Sequence, residues 1–465
     1  VAQAQLILPN LVVKAYQRHD GHKILRSSIE MDIAHNLTLL GLPYNLHQYV
    51  DTIQDVTDLP YVTKKRGFNP ATAPYNPDAK LLDVNDIIDY FQVDYSLLKD
   101  SAINADDGQV RIGVIELEHL AFKADQLQEF QKKYDVPLNP VRRIIGVEEQ
   151  LSVEPSGDVQ YLSGLGRNMQ IWDFVFGDAS FVFSPVVDEI MKTSGAPKIY
   201  SLSYGAPEWY VGESKIHASN VAFMKFGLAG FTFIASAGDV GPVLNPNNCE
   251  IFNAEYPASS PFITSVGGTS LDKNNGIEQA WIDGSGGFST VNKRPAFQDK
   301  HVEAYLKRNQ GLPTNLDGHK YNTANRAYPD VSAFAAHVMI NIGTYVDEEG
   351  TSLAAPLFVA LLTMVNTYRY QNGLGTLGPV NQALYGLEGG IGTDVVHGMS
   401  YATSRFGCYG KYLPGFEAVE GWDPVTGLGS PKFHTLIETL GHIKSATSDE
   451  ASSNFQEYKE FLSNQ

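Results

Sequence analysis

A serine stands at the start of the most apolar helix that the sequence predicts. Gly350-Thr351-Ser352 comes directly before a run of apolar residues that continues to Val365, with Pro356 in the first turn. A turn of small residues followed by such a helix holds a hydroxyl toward solvent on a rigid base, which suits a nucleophile. More commonly, a serine or threonine in this position only caps a buried helix. The segment alone leaves both interpretations open.

An exposed serine needs a base, and a pair of carboxylates is the candidate here. Twelve histidines are present, but none lies in a glycine-rich segment typical of the histidine base of a serine hydrolase. Glu154 and Asp158 are four residues apart, so on a helix both carboxylates lie on one face. Two acids held together tend to separate in pKa, and the one that stays ionised can accept a hydroxyl proton. The ordinary alternative is a solvated acidic pair.

A third acid, Asp239, follows Gly238 directly after a predicted strand, 231–237. An aspartate can donate a hydrogen bond to a developing oxyanion only while it is protonated. A mechanism with Glu154 ionised and Asp239 neutral would confine activity to acidic pH. The alternative is a turn aspartate beside a glycine.

Strands and helices alternate from about residue 80, which predicts a parallel sheet with helices on both faces. Such sheets place their functional sites at the carboxyl ends of the strands. Ser203-Tyr204-Gly205 and Gly238-Asp239 both lie at predicted strand ends. The predicted strands are 110–115, 198–205, 231–237 and 262–266, and the predicted helices include 121–134 and 217–228.

Composition limits the classes of function. The 465 residues are 43% apolar, which is enough for one large domain and a smaller one. The net charge of −18 argues against nucleic-acid binding and suits a protein that works in acid, where carboxylates take up protons. No run of 18 apolar residues occurs, so we predict no membrane span. The sequon Asn36-Leu37-Thr38 is compatible with secretion.

Proline content and charge predict the domain boundaries. Residues 61–79 contain a tribasic cluster and several prolines, and they read as an exposed linker with a possible cleavage site. An ordinary solvated charge run explains the basic cluster equally well. The linker separates residues 1–60 from a main domain at 80–442, and a tail at 443–465 is either mobile or a docking segment. Cys249 and Cys408 form either one long-range disulfide or two buried thiols.

Several motifs in register resemble the sedolisins, the serine-carboxyl peptidases with a subtilisin-like fold. They occur in the order of that family across roughly residues 80–440. The motifs are Glu154 to Leu162, Ser201-Leu202-Ser203-Tyr204-Gly205, Gly238-Asp239, Tyr256 to Pro261, Val266 to Ser270, Gly286-Gly287-Phe288-Ser289, Arg326 to Val331, Gly350-Thr351-Ser352 and Gly421 to Gly429.

The resemblance implies a role for each site residue. Ser352 would be the nucleophile, Glu154 its general base, Asp158 the group that orients Glu154, and Asp239 the oxyanion-hole acid. The segments around Ser203, Tyr204 and Gly205 and around Gly286 and Gly287 would bind substrate, because glycines let a peptide backbone approach closely. The implied fold is a mostly parallel subtilisin-like sheet with helices on both faces, preceded by a partial α+β, ferredoxin-like prodomain.

The resemblance also implies a calcium ion, a disulfide and a zymogen. An all-oxygen ligand set suits a hard cation. The implied bridge joins Cys249 to Cys408. Residues 1–60 look like the carboxyl-terminal part of a sedolisin prodomain, so the chain would begin inside it. The implied calcium ligands are the carboxylates of Asp394 and Asp423 and the backbone oxygens of Val395, Val419 and Gly421.

Two functions stay open, because the surroundings of the site depart from the family's pattern. Glu349 and Leu353 flank the nucleophile segment where small residues are usual, and Val240 follows Asp239 where serine is usual. The first function is an acid-acting endopeptidase or tripeptidyl-peptidase, secreted or lysosomal, that acts on peptides or proteins and is held by its own prodomain. The second is a weakened homologue retained as a binding or structural protein. The sequence leaves the oligomeric state open.

Overall fold

The computed structural model describes most of the main domain and one hairpin. The described residues are 13–17, 23–27, 79–103, 105–177, 180–245, 248–308, 321–387, 389–402 and 413–443. The chain divides into two units, Val1–Ala73 and Pro74–Gln465. In the first unit, Val13–Gln17 and Lys23–Ser27 pair as an antiparallel hairpin. The rest of the predicted prodomain, the linker before Ala79 and the tail beyond Ile443 lie outside the described residues, so these boundaries stay predictions.

Strands and helices alternate through the second unit. With the hairpin strands as β1 and β2, the strands that follow are β3 (Ile112–Glu116), β4 (Leu120–Ala121), β5 (Arg143–Gly146), β6 (Gln150–Leu151), β7 (Ile171–Val175), β8 (Ile199–Leu202), β9 (Ala206–Pro207), β10 (Thr232–Ser236), β11 (Val243–Asn245), β12 (Asn248–Asn253), β13 (Glu255–Tyr256), β14 (Thr264–Leu271), β15 (Glu278–Ala280), β16 (Gly287–Lys293), β17 (Asn325–Tyr328), β18 (Val331–Phe334), β19 (Val338–Asn341), β20 (Tyr345–Glu348), β21 (Gly392–Thr393), β22 (Met399–Ala402), β23 (Leu413–Glu417) and β24 (Ser430–Pro431). The α-helices are α1 (Val84–Tyr90), α2 (Asp100–Ile103), α3 (Ala124–Lys133), α4 (Val153–Gly166), α5 (Ser184–Lys192), α6 (Glu208–Val211), α7 (Glu213–Leu228), α8 (Asp299–Arg308), α9 (Thr351–Gln371), α10 (Asn381–Tyr385) and α11 (Phe433–Leu440).

The main sheet has eight strands and is almost entirely parallel. Seven of its strands lie in the order β15-β14-β10-β8-β3-β7-β5, and β18 also pairs with β14. Every pairing among them is parallel except that of β14 with β15. Strands β3, β7, β8, β10 and β14 are buried along their whole length. This confirms the predicted parallel sheet and explains why its strands read as continuous apolar runs.

Helices cover both faces of the sheet. On β3, Val114 belongs to a core cluster with Leu162 of α4 and Val359 of α9. The next residue, Ile115, points to the other face and belongs to a cluster with residues of α5 and α7. The alternation follows from the twofold periodicity of a strand. It places α4, which carries Glu154 and Asp158, beside α9, which carries Ser352.

Helix α9 is the central helix of the domain. Among the described residues, it alone is long and apolar enough, by length and composition, to cross a membrane, which the residue count had not predicted. In the structure, 89% of its most apolar window is buried inside the protein. The apolar composition of α9 is therefore explained by its contacts with the sheet and with α4.

Candidate active site

Ser352 is the second residue of α9 and is half-buried. The residue that precedes the helix is Gly350, whose N–H donates to the carbonyl of Ala335 at 2.7 Å. The Ser352 hydroxyl donates to the carbonyl oxygen of Ser203 at 3.5 Å, which joins the start of α9 to the end of β8. The Thr351 hydroxyl bonds to Asp239. Because both hydroxyls bond to groups outside the helix, the interpretation of either residue as a helix cap is wrong.

Ser203 connects the nucleophile to the predicted acid pair. It follows β8 at the carboxyl end of the strand, and its hydroxyl lies 2.9 Å from Oδ1 of Asp158 and 3.2 Å from the carbonyl oxygen of Ser352. The sequence predicted Ser203 as a substrate-binding residue. In the structure its contacts are to the two predicted catalytic segments.

Glu154 and Asp158 both lie on α4, as their spacing predicted. Glu154 is in the first turn and Asp158 follows one turn later, fully buried. Burial raises the pKa of Asp158 well above its usual value, and the nearby Glu154 charge raises it further. The folded protein therefore favours the protonated form of Asp158.

The glycine within the carboxylate motif has a packing role. A glycine in a helix interior costs roughly 1 kcal/mol of stability relative to alanine. A Cβ at Gly157 would lie 3.0 Å from Cδ2 of Leu353, the residue after the nucleophile. Gly157 thus permits the close approach of α4 to α9, and Pro155 is tolerated because it stands in the first turn of α4. Gly157 therefore fits against Leu353, which is one of the departures from the family pattern.

Asp239 is held against the turn that carries the nucleophile. Its Oδ1 accepts hydrogen bonds from the backbone N–H and the hydroxyl of Thr351, each at 2.8 Å. The Thr351 hydroxyl in turn accepts from the N–H of Gly238 at 2.9 Å. Oδ2 of Asp239 lies 3.5 Å from the position that a Cβ on Gly350 would occupy. Asp239 is therefore more than a turn residue, because it bonds to a segment 112 positions away.

The loop that contains Gly286 and Gly287 supports the Asp239 turn. The N–H of Ser285 donates to the carbonyl of Gly238 at 2.9 Å, and the N–H of Val240 donates to the Ser285 hydroxyl at 3.1 Å. A Cβ at Gly286 would lie 1.8 Å from the carbonyl oxygen of Pro424. The missing side chain of Gly286 thus makes room for the protein's own backbone, and its contact with substrate stays a prediction.

Three polar residues of the site were not predicted in these roles. Glu116, the last residue of β3, is fully buried, and its Oε2 accepts from the hydroxyl of Tyr204 at 2.6 Å. Burial raises the pKa of Glu116 well above its usual value, and the charges of Asp158 and Asp173 add to the effect. Asp173 of β7 is also fully buried, and burial, followed by the charge of Glu148, raises its pKa. The available signal was an acid within an otherwise apolar strand, at the end of β3 for Glu116 and at the centre of β7 for Asp173.

The predicted calcium residues form one local cluster. Oδ2 of Asp394 accepts from the N–H of Gly421 at 2.8 Å, and Oδ2 of Asp423 accepts from the N–H of Val419 at 3.1 Å. Asp423 is fully buried and also accepts from Val425 and Thr426. Within the described residues, no group of three or more His, Cys, Asp or Glu side chains converges on a metal position. The predicted set needs only two carboxylates, since its other ligands are backbone oxygens.

The predicted disulfide cannot be placed. Cys249 lies on β12, but its side chain and the whole of Cys408 lie outside the described residues. The bridge stays a prediction.

Comparison with known proteins shows what this chain is similar to. No protein-family model matches the sequence. Tripeptidyl-peptidase 1 of Rattus norvegicus is 32% identical over 310 residues, 64% of this chain and 54% of that protein. The Dictyostelium discoideum protein of the same name is 32% identical over 328 residues, 68% of this chain and 52% of that protein. The chain thus spans about half the length of the curated relatives it matches.

A solved structure agrees with this result. It is described as a Pseudomonas sedolisin, a serine-carboxyl proteinase, complexed with two molecules of pseudo-iodotyrostatin. Its TM-score is 0.56 at 22% identity, and the match covers 78% of this chain and 99% of that one, which shows a shared fold.

The chain is therefore similar in sequence to tripeptidyl-peptidase 1 and shares the fold of sedolisin. Both similarities agree with the resemblance that the motifs around Glu154, Asp239 and Ser352 predicted.

Proposed function

We propose that this protein is an acid-acting serine-carboxyl peptidase that hydrolyses peptide bonds in the manner of tripeptidyl-peptidase 1. The observation that carries the proposal is the chain of contacts from Ser352 through Ser203 to Asp158, with Asp239 bonded to the residue beside the nucleophile. Groups from four separate segments meet at the start of one helix, where a serine is half-exposed.

The proposed reaction uses the carboxyl groups in different protonation states. The oxygen of Ser352 attacks the peptide carbonyl carbon while its proton passes to Glu154, and a protonated Asp239 donates a hydrogen bond to the oxyanion. Glu154 then returns the proton to the leaving amine, which gives an acyl-enzyme. Water deacylates Ser352 by the same route in reverse. Asp158 acts through its neighbour, because its raised pKa keeps it protonated and able to orient Glu154.

Active-site labelling tests the proposal. A fluorophosphonate or a peptide aldehyde at pH 4 should modify or inhibit the protein, and Ser352→Ala should lose both the reaction and peptide turnover while it keeps its unfolding midpoint. A tripeptide substrate with a free amino terminus is compared with a peptide whose amino terminus is blocked. Cleavage of the first alone indicates tripeptidyl-peptidase activity, and cleavage of the second indicates endopeptidase activity. If the protein takes up no label and cleaves no peptide in any processed form, the alternative of a retained binding protein replaces the proposal.

We also propose that the chain is made as a zymogen for an acidic compartment, either lysosomal or extracellular. The support is the similarity to tripeptidyl-peptidase 1, the net charge of −18 and the buried carboxyl groups with raised pKa values at Glu116, Asp158 and Asp173. Cleavage within residues 61–79 on incubation at pH 4, followed by the appearance of activity, would support this proposal, and full activity of the uncleaved chain would contradict it.

The proposed calcium site uses Asp394, Asp423 and three backbone oxygens. Two carboxylates and neutral carbonyls form the all-oxygen set that a hard cation prefers. The hydrogen bonds that join Asp394 to Gly421 and Asp423 to Val419 already hold the two ligand segments together. Because Asp423 accepts four hydrogen bonds in the structure, the ion would replace some of these donors. A bound ion would tie the end of the domain together and is assigned no step in the reaction.

A further inference from the structure

A buried histidine lies between two carboxylates next to the nucleophile segment. The side chain of His337 is 5% exposed, and the residue stands between β18 and β19. Its Nδ1 lies 2.8 Å from Oδ2 of Asp347, and its Nε2 lies 3.2 Å from Oε1 of Glu349. We call these three side chains the His337 clasp. Glu349 is the residue that departs from the family pattern immediately before Gly350.

Simultaneous hydrogen bonds to both carboxylates would require two protons in the clasp. A neutral imidazole has one N–H, so it can donate to only one of two ionised carboxylates. Hydrogen bonds at both ring nitrogens therefore require a second proton between Nε2 and Oε1, which belongs either to His337 or to Glu349. Burial raises the pKa of Glu349, the His337 charge lowers it, and Asp347 raises it again. When the shared proton leaves, an imidazole lone pair faces an ionised carboxylate across 3.2 Å.

The clasp joins the two backbone segments that lead to the nucleophile. His337 lies two residues after Ala335, whose carbonyl accepts from the N–H of Gly350 at 2.7 Å. Asp347 lies on β20, opposite Met339 of β19 in the antiparallel register. Glu349 connects β20 to the turn that holds Gly350 beside Asp239. Separation of Glu349 from His337 would therefore displace the turn that positions both the serine and the oxyanion acid.

Charged residues of α3 contact the antiparallel pair formed by β19 and β20 at the end away from the clasp. Glu129 of α3 contacts the amide of Asn341, and Lys133 lies 3.4 Å from the ring centre of Tyr345. From α4, the neutral side chain of Tyr161 donates to the carbonyl of Met339. Near the clasp itself, the side chain of Trp281 lowers the pKa of Glu349. The carboxylates that contact the His337 ring are thus those of Asp347 and Glu349.

We propose that His337 is a positioning residue, which holds the Glu349–Gly350 turn in its active geometry only while a proton is shared between its Nε2 and the Glu349 carboxyl. The proposal rests on the proposed peptidase function. It adds a second requirement for acid that is separate from the catalytic carboxyl groups. The clasp closes at acidic pH and opens as the pH rises.

The variant Glu349→Gln separates this role from a merely structural one. The glutamine amide can donate to Nε2 of a neutral His337 while Nδ1–H donates to Asp347, so the clasp stays closed without the extra proton. The ratio of kcat for this variant to kcat for the wild type should rise with pH between 4 and 7.5, by about tenfold, because a small displacement of reacting groups has an effect of this size or more. His337→Gln should lower kcat at all pH values while KM changes less than twofold. A ratio for Glu349→Gln that stays constant with pH would overturn the proposal.

An exposed histidine–carboxylate pair on α11 serves as the matched control. The pair His434–Glu438 on α11 has a similar distance, 3.0 Å, but both side chains are 64% exposed. Glu438→Gln should therefore behave as the wild type at every pH. Thermal unfolding of the full chain gives a readout without catalysis: the midpoint difference between Glu349→Gln and the wild type should grow as the pH rises. If the wild type hydrolyses no peptide, the proposed function fails while this unfolding result still decides the clasp.

Discussion

The hydroxyl of Thr351 ties the oxyanion acid to the nucleophile helix, and its removal gives a quantitative test. Thr351→Val keeps the shape of the side chain but loses the bond to Asp239 at 2.8 Å and the acceptor for Gly238 N–H at 2.9 Å. Thr351 is fully buried. A lost hydrogen bond contributes about 1 kcal/mol net, and an unsatisfied N–H costs about 1–3 kcal/mol. Because Gly238 is half-buried, we expect a total loss of about 2–3 kcal/mol in the free energy of unfolding.

The same substitution should lower activity. Loss of one donor to an oxyanion reduces kcat by roughly 10²–10³ in other enzymes. Thr351→Val loosens Asp239 without deleting it, and the backbone N–H of Thr351 still bonds to the carboxylate. We therefore expect a decrease in kcat of about 10–100-fold at the acidic optimum, with a smaller change in KM.

Urea unfolding and peptide hydrolysis at pH 4–5 measure the two effects. Thr351→Ser is the matched control, since it keeps the hydroxyl and removes only a methyl group, at a cost of about 1 kcal/mol. The methyl lies 3.3 Å from the Cβ position of Gly268. If Thr351→Val and Thr351→Ser have the same free energy of unfolding and the same kcat, the hydroxyl does not hold Asp239 and the prediction is refuted.

Two further predictions concern protons and calcium. The raised pKa of Asp173, caused by burial first and Glu148 second, means that the folded state binds its proton more tightly than the unfolded chain does. Stability should then fall as the pH rises above the ordinary aspartate value of about 4, and Asp173→Asn should make this slope shallower in urea unfolding between pH 4 and 7; an unchanged slope would exclude Asp173 as a contributor. For calcium, excess chelator should lower the thermal midpoint of the wild type, and added Ca²⁺ should restore it. The thermal midpoint of Asp394→Asn should change less with chelator and with added Ca²⁺. Equal changes in the variant and the wild type would show that Asp394 is not a calcium ligand.

The ends of the strands and helices were predicted less accurately than their interiors. The apolar runs predicted four strands of the main sheet, but β5 and β7 were not predicted. The predicted strand 198–205 ends at Leu202, the predicted strand 262–266 continues to Leu271, and the predicted helix 217–228 begins earlier, at Glu213. Hydrophobic patterns mark the interior of an element more sharply than its ends, because terminal residues are polar in loops and in helix first turns alike. Helix propensity alone disfavours the glycine within the Glu154 motif, and the contact of Gly157 with Leu353 shows why it is needed.

The sequence by itself determined the chemical groups: a serine before an apolar helix, two acids one helical turn apart, and an aspartate at a strand end. These signals are local, so spacing and motif order suffice to find them. Only the tertiary structure decided that Ser203 joins Ser352 to Asp158, that Tyr204 meets a buried Glu116, and that His337 lies between Asp347 and Glu349. Most of these contacts join residues far apart in the chain, and all of them depend on how the helices and strands pack, which no local pattern specifies.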